Sequence, residues 1–243
     1  MKTSLERLWR PALSVAVGLA AILPIAIVTA DGQSVSFDFP VGTGGVAIPD
    51  DSDAGIQSTH TVTDPNGPLA SVQVSLQLTP IGADGGWIGD LYAYLRHTDA
   101  SGTRTSILLN RIGSTSLNSA GLADGPSLDI ILTANGPDIH NLTGPLGSSL
   151  TGVFGADGRA VDPNQVLDTS SRAAGLDIFN GAQPGGDWTL FIADLSGGSQ
   201  YRLDEWGLVL TSGSPQLVPD VANSISLLAM ACGLVIFCRR RSG

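Results

Sequence analysis

Cysteine is nearly missing from this chain: the two present, Cys232 and Cys238, both lie near the C-terminus. The rest of the sequence has no disulfide staple, thiolate metal ligand or thiol nucleophile, so its stability rests on a packed core. Charge is scarce as well. Charged residues make up 14% against 42% apolar, too apolar a mix for a disordered chain. The formal net charge is −10 and no Lys/Arg cluster runs through the middle, which excludes a nucleic-acid partner held by phosphate neutralisation. Long amphipathic helical patterning is missing outside the two ends, and so is any internal repeat. Catalytic signatures are missing too: there is no Gly-x-Ser-x-Gly elbow and no His-Glu-x-x-His. Of the three histidines, His60 and His97 are expected on the surface and His140 lies in an irregular section, and none is expected to be catalytic. Carboxylate pairs of the glycosidase kind, which are remote in sequence, stay open.

What the chain has is glycine, 31 residues of it, and apolar alternation with a period of two. Val35, Phe37 and Phe39 alternate with Ser34, Ser36 and Asp38. Val72, Val74, Leu76 and Leu78 alternate with Ser71, Gln73, Ser75 and Gln77. Leu91/Ala93/Leu95, Leu128/Ile130/Leu132, Trp188/Leu190/Ile192 and Trp206/Leu208/Leu210 repeat the pattern. Ile107–Leu109 and the β-branched stretch Thr59–Thr63 add two shorter candidates. Turn clusters separate them, such as Asp64-Pro65-Asn66-Gly67, Asp99-Ala100-Ser101-Gly102 and Ser196-Gly197-Gly198-Ser199. Two sheets burying each other's apolar faces satisfy this pattern, so the expectation is an all-β, jelly-roll-type β-sandwich of about eight strands. Residues 134–187, rich in Pro and Gly, read as a long irregular excursion with one short helix or strand. Trp188 and Trp206, in register with aliphatic neighbours, are expected in the core. Trp87 sits in a turn, and core packing is the expectation for it too.

The two ends differ from the body. Lys2, Arg7 and Arg10 precede an apolar stretch from Ala12 to Val28, and Val28-Thr29-Ala30 offers modest side chains at the −3 and −1 positions. This layout predicts a secretory signal peptide, residues 1–30, cleaved after Ala30; an uncleaved anchor is the alternative. At the other end, Val221 to Cys238 is apolar and small, and Arg239-Arg240-Arg241 closes it. As a helix this run spans about 27 Å, enough for a bilayer core, with the arginines on the cytoplasmic side. The acidic section between the ends is therefore expected outside the cytoplasm, with the secretion translocon as a partner and the inner membrane as an intermediate.

Val218-Pro219-Asp220, Ser224, the apolar run and Arg239, Arg240 and Arg241 together resemble a PEP-CTERM sorting signal of the Val-Pro-Asp variant, over residues 214–243. The chain continues Val221-Ala222 where that variant usually has Ser-Gly. The resemblance implies an exosortase-type sorting enzyme as partner, with delivery to the cell surface or an exopolysaccharide-containing matrix.

A second resemblance covers residues 47–213, after a lead-in strand within 31–46. Ile48-Pro49-Asp50-Asp51, Trp87-Ile88-Gly89-Asp90-Leu91 and Ile107-Leu108-Leu109-Asn110-Arg111 look like the proprotein convertase P domain (P/Homo B). Phe179-Asn180-Gly181, Trp188-Thr189-Leu190-Phe191-Ile192-Ala193-Asp194 and Leu203-Asp204-Glu205-Trp206-Gly207-Leu208 continue the likeness in order. It implies a jelly-roll sandwich that in the family follows a subtilisin-like protease and supports its folding. This chain has no room for such a protease, so the domain is expected to stand alone, without the processing activity.

Asp50, Asp51 and Asp53 cluster in a loop before a strand, and calcium wants six to eight oxygen ligands of the kind such a loop supplies. Family members often bind calcium near the corresponding loop. Asp90 and Asp194, at family-matching positions, are candidates to face the same end; turn-capping is the other reading of these acids. The expected function is a non-catalytic, exported binding or structural module, calcium-stabilised, whose partner is an exopolysaccharide or surface protein. A secreted hydrolase of matrix carbohydrate or peptide, and an accessory folding domain for a separate protease, are the alternatives.

Overall fold

A computed structural model describes residues 32–63, 66–82 and 86–213. The chain divides into residues 1–30 and 31–243, and every described residue belongs to the second unit. The signal segment with Ala30, and the tail with Val218, Pro219, Asp220, Ser224 and Arg239 to Arg241, lie outside the described residues. Among the described residues no helix is long and apolar enough to cross a membrane, which says nothing of a span made by strands.

The fold is all-β. Among the described residues the strands are β1 (Gln33–Pro40), β2 (Val46–Ala47), β3 (Ser52–Val62), β4 (Leu69–Ile81) and β5 (Leu91–Asp99). They continue with β6 (Gly102–Asn110), β7 (Ser127–Asp138), β8 (Ser149–Gly155), β9 (Gly186–Asp194) and β10 (Gln200–Ser212). One sheet runs β1-β10-β4-β7-β8, with β2 also on β10; the other runs β3-β9-β5-β6. Every pairing is antiparallel except β7 with β8.

Alternation explains the layering. Val72, Val74, Leu76 and Leu78 of β4 are buried, and Trp206, Leu208 and Leu210 lie beside them on β10. From the second sheet, Leu91, Ala93 and Leu95 of β5 and Trp188, Leu190 and Ile192 of β9 complete one continuous core. Each such side chain contributes about 1.5–3 kcal/mol by leaving water. That supports a domain without disulfides.

All eight expected strands form. The segment 134–187 is more ordered than its composition suggests. It holds the end of β7, all of β8 and two 3₁₀ turns, Ile139–Asn141 and Leu176–Phe179. Its loops then run along the edge of β6, where Gly158 N–H donates to the Ile107 carbonyl at 2.9 Å and Ile107 N–H donates to the Ala174 carbonyl at 2.9 Å.

Three other expectations are corrected, for His97, His60 and Trp87, and the position of His140 is added to them. His97 is fully buried, because it continues the inward row Leu91, Ala93, Leu95; its ring stacks on Trp188 at 4.0 Å. His140 is fully buried too. His60 is half-buried and stacks on Phe39 at 4.1 Å. Trp87 is 36% exposed, outside the core, since it precedes the 3₁₀ turn Ile88–Asp90 rather than sharing a strand's inward row.

Both boundaries of the described body lie at one end of the sandwich, where Gln33 is paired with Ser212. Asp194 and Gln200 lie at the other end, at the far side of β10. A strand of 13 residues makes that separation about 40 Å.

Candidate functional site

Four strand ends converge at the end of the sandwich remote from Gln33 and Ser212. Asp194 closes β9 and is paired with both Leu91, where β5 begins, and Ser52, where β3 begins. Asn110 closes β6, opposite Tyr92. Asp194 continues the inward row Trp188, Leu190, Ile192, so its carboxylate points to the core side and is 1% exposed. Asp90 ends the 3₁₀ turn Ile88–Asp90 just before β5 and is 5% exposed.

Local geometry at this end depends on two glycines. A Cβ at Gly86 would collide with the Tyr201 ring, so only glycine lets the turn that carries Asp90 lie against β10. Gly55 has φ +54°, and a Cβ there would strike the Ile192 carbonyl and the Phe191 ring. It sits in the register shift between Ser52 and Ile56, a bulge that turns the start of β3 across β9. Asp51 (φ 52°) and Arg111 (φ 49°), both non-glycine, adopt the left-handed conformation at this same end. Such strain gathers where the surrounding structure over-determines the backbone.

Electrostatically the site is short of positive partners. Neither oxygen of Asp194 receives a hydrogen bond of normal geometry, although both are buried. Burial first, and then the Asp90 charge, push its carboxyl up to about 7; the nearby Ser196 N–H, opposing, and the Asp50 charge contribute less. Asp90 is also raised, by burial above all, against the pull of the Ser196 hydroxyl and Arg111. The Arg111 guanidinium lies 3.6 Å from Asp90. Asp50 is exposed and accepts a hydrogen bond from Gly198 N–H at 3.2 Å, close enough for its charge to act on both buried acids.

The five predicted acids are thus divided. Asp50, Asp90 and Asp194 share one electrostatic environment. Asp51 and Asp53 instead line a separate cavity of about 490 Å³ with Asp162, and Asp53 lies inside β3 rather than in the preceding loop. Among the described residues no three His, Cys, Asp or Glu side chains converge closely enough to hold a metal by themselves. The donor chemistry at Asp90 and Asp194 nevertheless suits a hard cation: two adjacent buried carboxylates, one of them receiving no hydrogen bond of normal geometry.

Sequence reasoning missed a second buried charge cluster, on the opposite edge of β6. His140 Nδ1 lies 2.8 Å from Asp157 Oδ2, and its Nε2 lies 2.9 Å from the Ser114 carbonyl. Asp157 Oδ2 also accepts from Asn110 N–H at 3.2 Å, and its Oδ1 accepts from Arg159. Arg159 forks onto Asp138 through Nη1 and Nη2, at 3.1 and 2.8 Å. Both His140 ring nitrogens are committed, so it has no free nitrogen to take a proton from a hydroxyl. His60 Nε2 lies 3.2 Å from Ser58 Oγ, which also accepts from Trp206 Nε1–H at 2.9 Å. Burial lowers the His60 pKa. No carboxylate is hydrogen-bonded to His60, so the third member of a hydrolytic triad is absent there among the described contacts. The alternation that sends His97 inward was readable from sequence. His140, Asp157 and Arg159 sit in loops with no period, and nothing in their spacing announces them.

No protein-family model matches the chain, and no curated protein matches it. Among solved structures it is similar to the serine protease of Aeromonas sobria, both alone and in complex with its chaperone ORF2. The complex gives 15% identity, TM-score 0.39 and coverage of 75% of this chain and 27% of the other. The protease alone gives 16%, 0.37, 74% and 27%. This chain thus spans about a quarter of those it matches.

Proposed function

We propose that this is a non-catalytic, exported binding module of the P-domain-like jelly-roll kind. A calcium ion at Asp90 and Asp194, with Asp50 at the rim, steadies its loop end. In this reading residues 1–30 direct export, and an exosortase processes the tail at Val218-Pro219-Asp220 and Ser224. Arg239, Arg240 and Arg241 hold the tail until then, and the module goes to the cell surface or the polysaccharide matrix. The observation that supports it most is Asp194, a carboxylate on the core face with both oxygens buried and neither receiving a hydrogen bond of normal geometry. A divalent cation would supply the charge that the protein leaves out, and would stabilise the fold by mass action. The ends of the body support the same reading. A chain held through residue 213 would turn the Asp90–Asp194 end away from its attachment.

Titration of calcium into the chelator-treated chain should show saturable binding that Asp90→Asn and Asp194→Asn abolish; no binding heat would overturn the cation part. Removing residues 218–243 should change the fraction in which the protein is found, and unchanged fractionation would overturn the sorting part.

A further inference from the structure

The second buried cluster does a different job. His140 stands in the 3₁₀ turn Ile139–Asn141, fully buried, between two groups that can only accept hydrogen bonds. The Ser114 carbonyl faces Nε2 from the loop after β6, and Asp157 faces Nδ1 from the loop after β8. Asp157 also accepts from Asn110 N–H, Arg159 N–H and Arg159 Nη1, so both of its oxygens act as acceptors. Two acceptors at two nitrogens require two ring protons. The other charges around the ring are Asp138, which accepts His140 N–H at 3.1 Å and pairs with Arg159, and Arg172, 3.7 Å from Asp138. Arg159 Nη2 also donates to the Asp168 carbonyl at 2.9 Å. Arg172 donates to the Asp157 and Ala156 carbonyls at 3.0 and 2.7 Å. The cluster therefore ties residues 156–172 to the end of β7 and to the loop that follows β6.

We infer that His140, carried as an imidazolium, is the pin that fastens the 156–172 loop layer to the sandwich, and that loss of its proton unfastens that layer. Deprotonation removes one ring hydrogen, which goes to solvent. A lone pair is then left facing either a buried carboxylate or a buried carbonyl, so that an attraction becomes a repulsion between two acceptors. Burial opposes the charge on His140, and Asp157, through its hydrogen bond and its charge, outweighs burial and raises the pKa. Because the folded value is raised, the fastening is complete below about 6.5 and is lost as pH rises through the folded value. The opening equilibrium then grows about tenfold for each unit separating the closed and open values.

The chain has three histidines, so isotope-labelled histidine in the full chain gives three resolvable ring signals. Expected is one ring that carries both protons at pH 7 and titrates above the ordinary range, with Asp157→Asn lowering that midpoint. Trypsin cleavage after Arg159, normalised to a short arginyl substrate, should rise across the same midpoint. In His140→Gln it should be independent of pH. A neutral His140 ring at pH 6 would overturn the proposal, and so would Arg159 cleavage that stays flat while the ring titrates. Both readouts use the unaltered chain, so they stand even if the variants fail to fold.

Discussion

Asp194 and Asp157 are the same residue type, and both are almost wholly inaccessible, at 1% and 0% exposure. Around Asp157 each carboxylate oxygen accepts from at least two donors, among them an arginine and a histidine. Around Asp194 there is another acid, Asp90, and no hydrogen bond of normal geometry to either oxygen, with only the Ser196 N–H nearby. Burial alone does not say what a charge is for; its partners do. A carboxylate surrounded by donors holds loops together. One buried without them costs stability when ionised, and is held where it is by the strands around it.

The contrast is broken most severely by removing the cation from the satisfied cluster. Arg159→Met leaves the buried Asp157 and the half-buried Asp138 without their main counter-charge, and a loss of about 3–5 kcal/mol is expected in urea unfolding. A loss below about 1 kcal/mol would mean the cluster is not what fastens the loops.

At the other cluster the sign reverses. The folded Asp194 carboxyl, pushed up to about 7, holds a proton at pH values where the unfolded one, near 3.8, has lost it. Stability of the chelator-treated chain therefore falls as pH rises from about 4 to about 7, and levels off above. Asp194→Asn removes that fall and should raise the melting temperature at pH 8 by several degrees, on the order of 1–3 kcal/mol. At pH 4 the two chains should melt alike. An Asn chain less stable than the parent at pH 8 without divalent ions would show that Asp194 is satisfied after all.

The smallest effect sharpens the comparison. Asp53, exposed on β3, shares neither environment, and Asp53→Asn should shift stability by less than about 0.5 kcal/mol and leave calcium binding unchanged. A large loss of affinity there would restore the single five-acid site expected from the sequence.

What the sequence made legible follows from what has a period. Strands with unbroken alternation, such as Val72 to Leu78 and Trp188 to Ile192, were readable, and they form the two central layers. β8 was not. Its apolar positions are interrupted by Gly152, and its partner β7 runs parallel to it across a connection of ten residues between Asp138 and Ser149. Asp90 and Asp194 were legible as candidates because they bracket predicted strands. Their separation from Asp51 and Asp53 depends on the bulge at Gly55, a local event that alternation does not register. The His140 cluster joins loops distant in sequence, and only the fold brings them together.

The central claim is that the Asp90–Asp194 end takes a divalent cation. Thermal melting of the full chain at pH 8, with calcium and then with chelator, tests it most directly. Calcium should raise the melting temperature of the parent chain and leave Asp194→Asn unmoved. Identical melting of the parent chain under both conditions would contradict it.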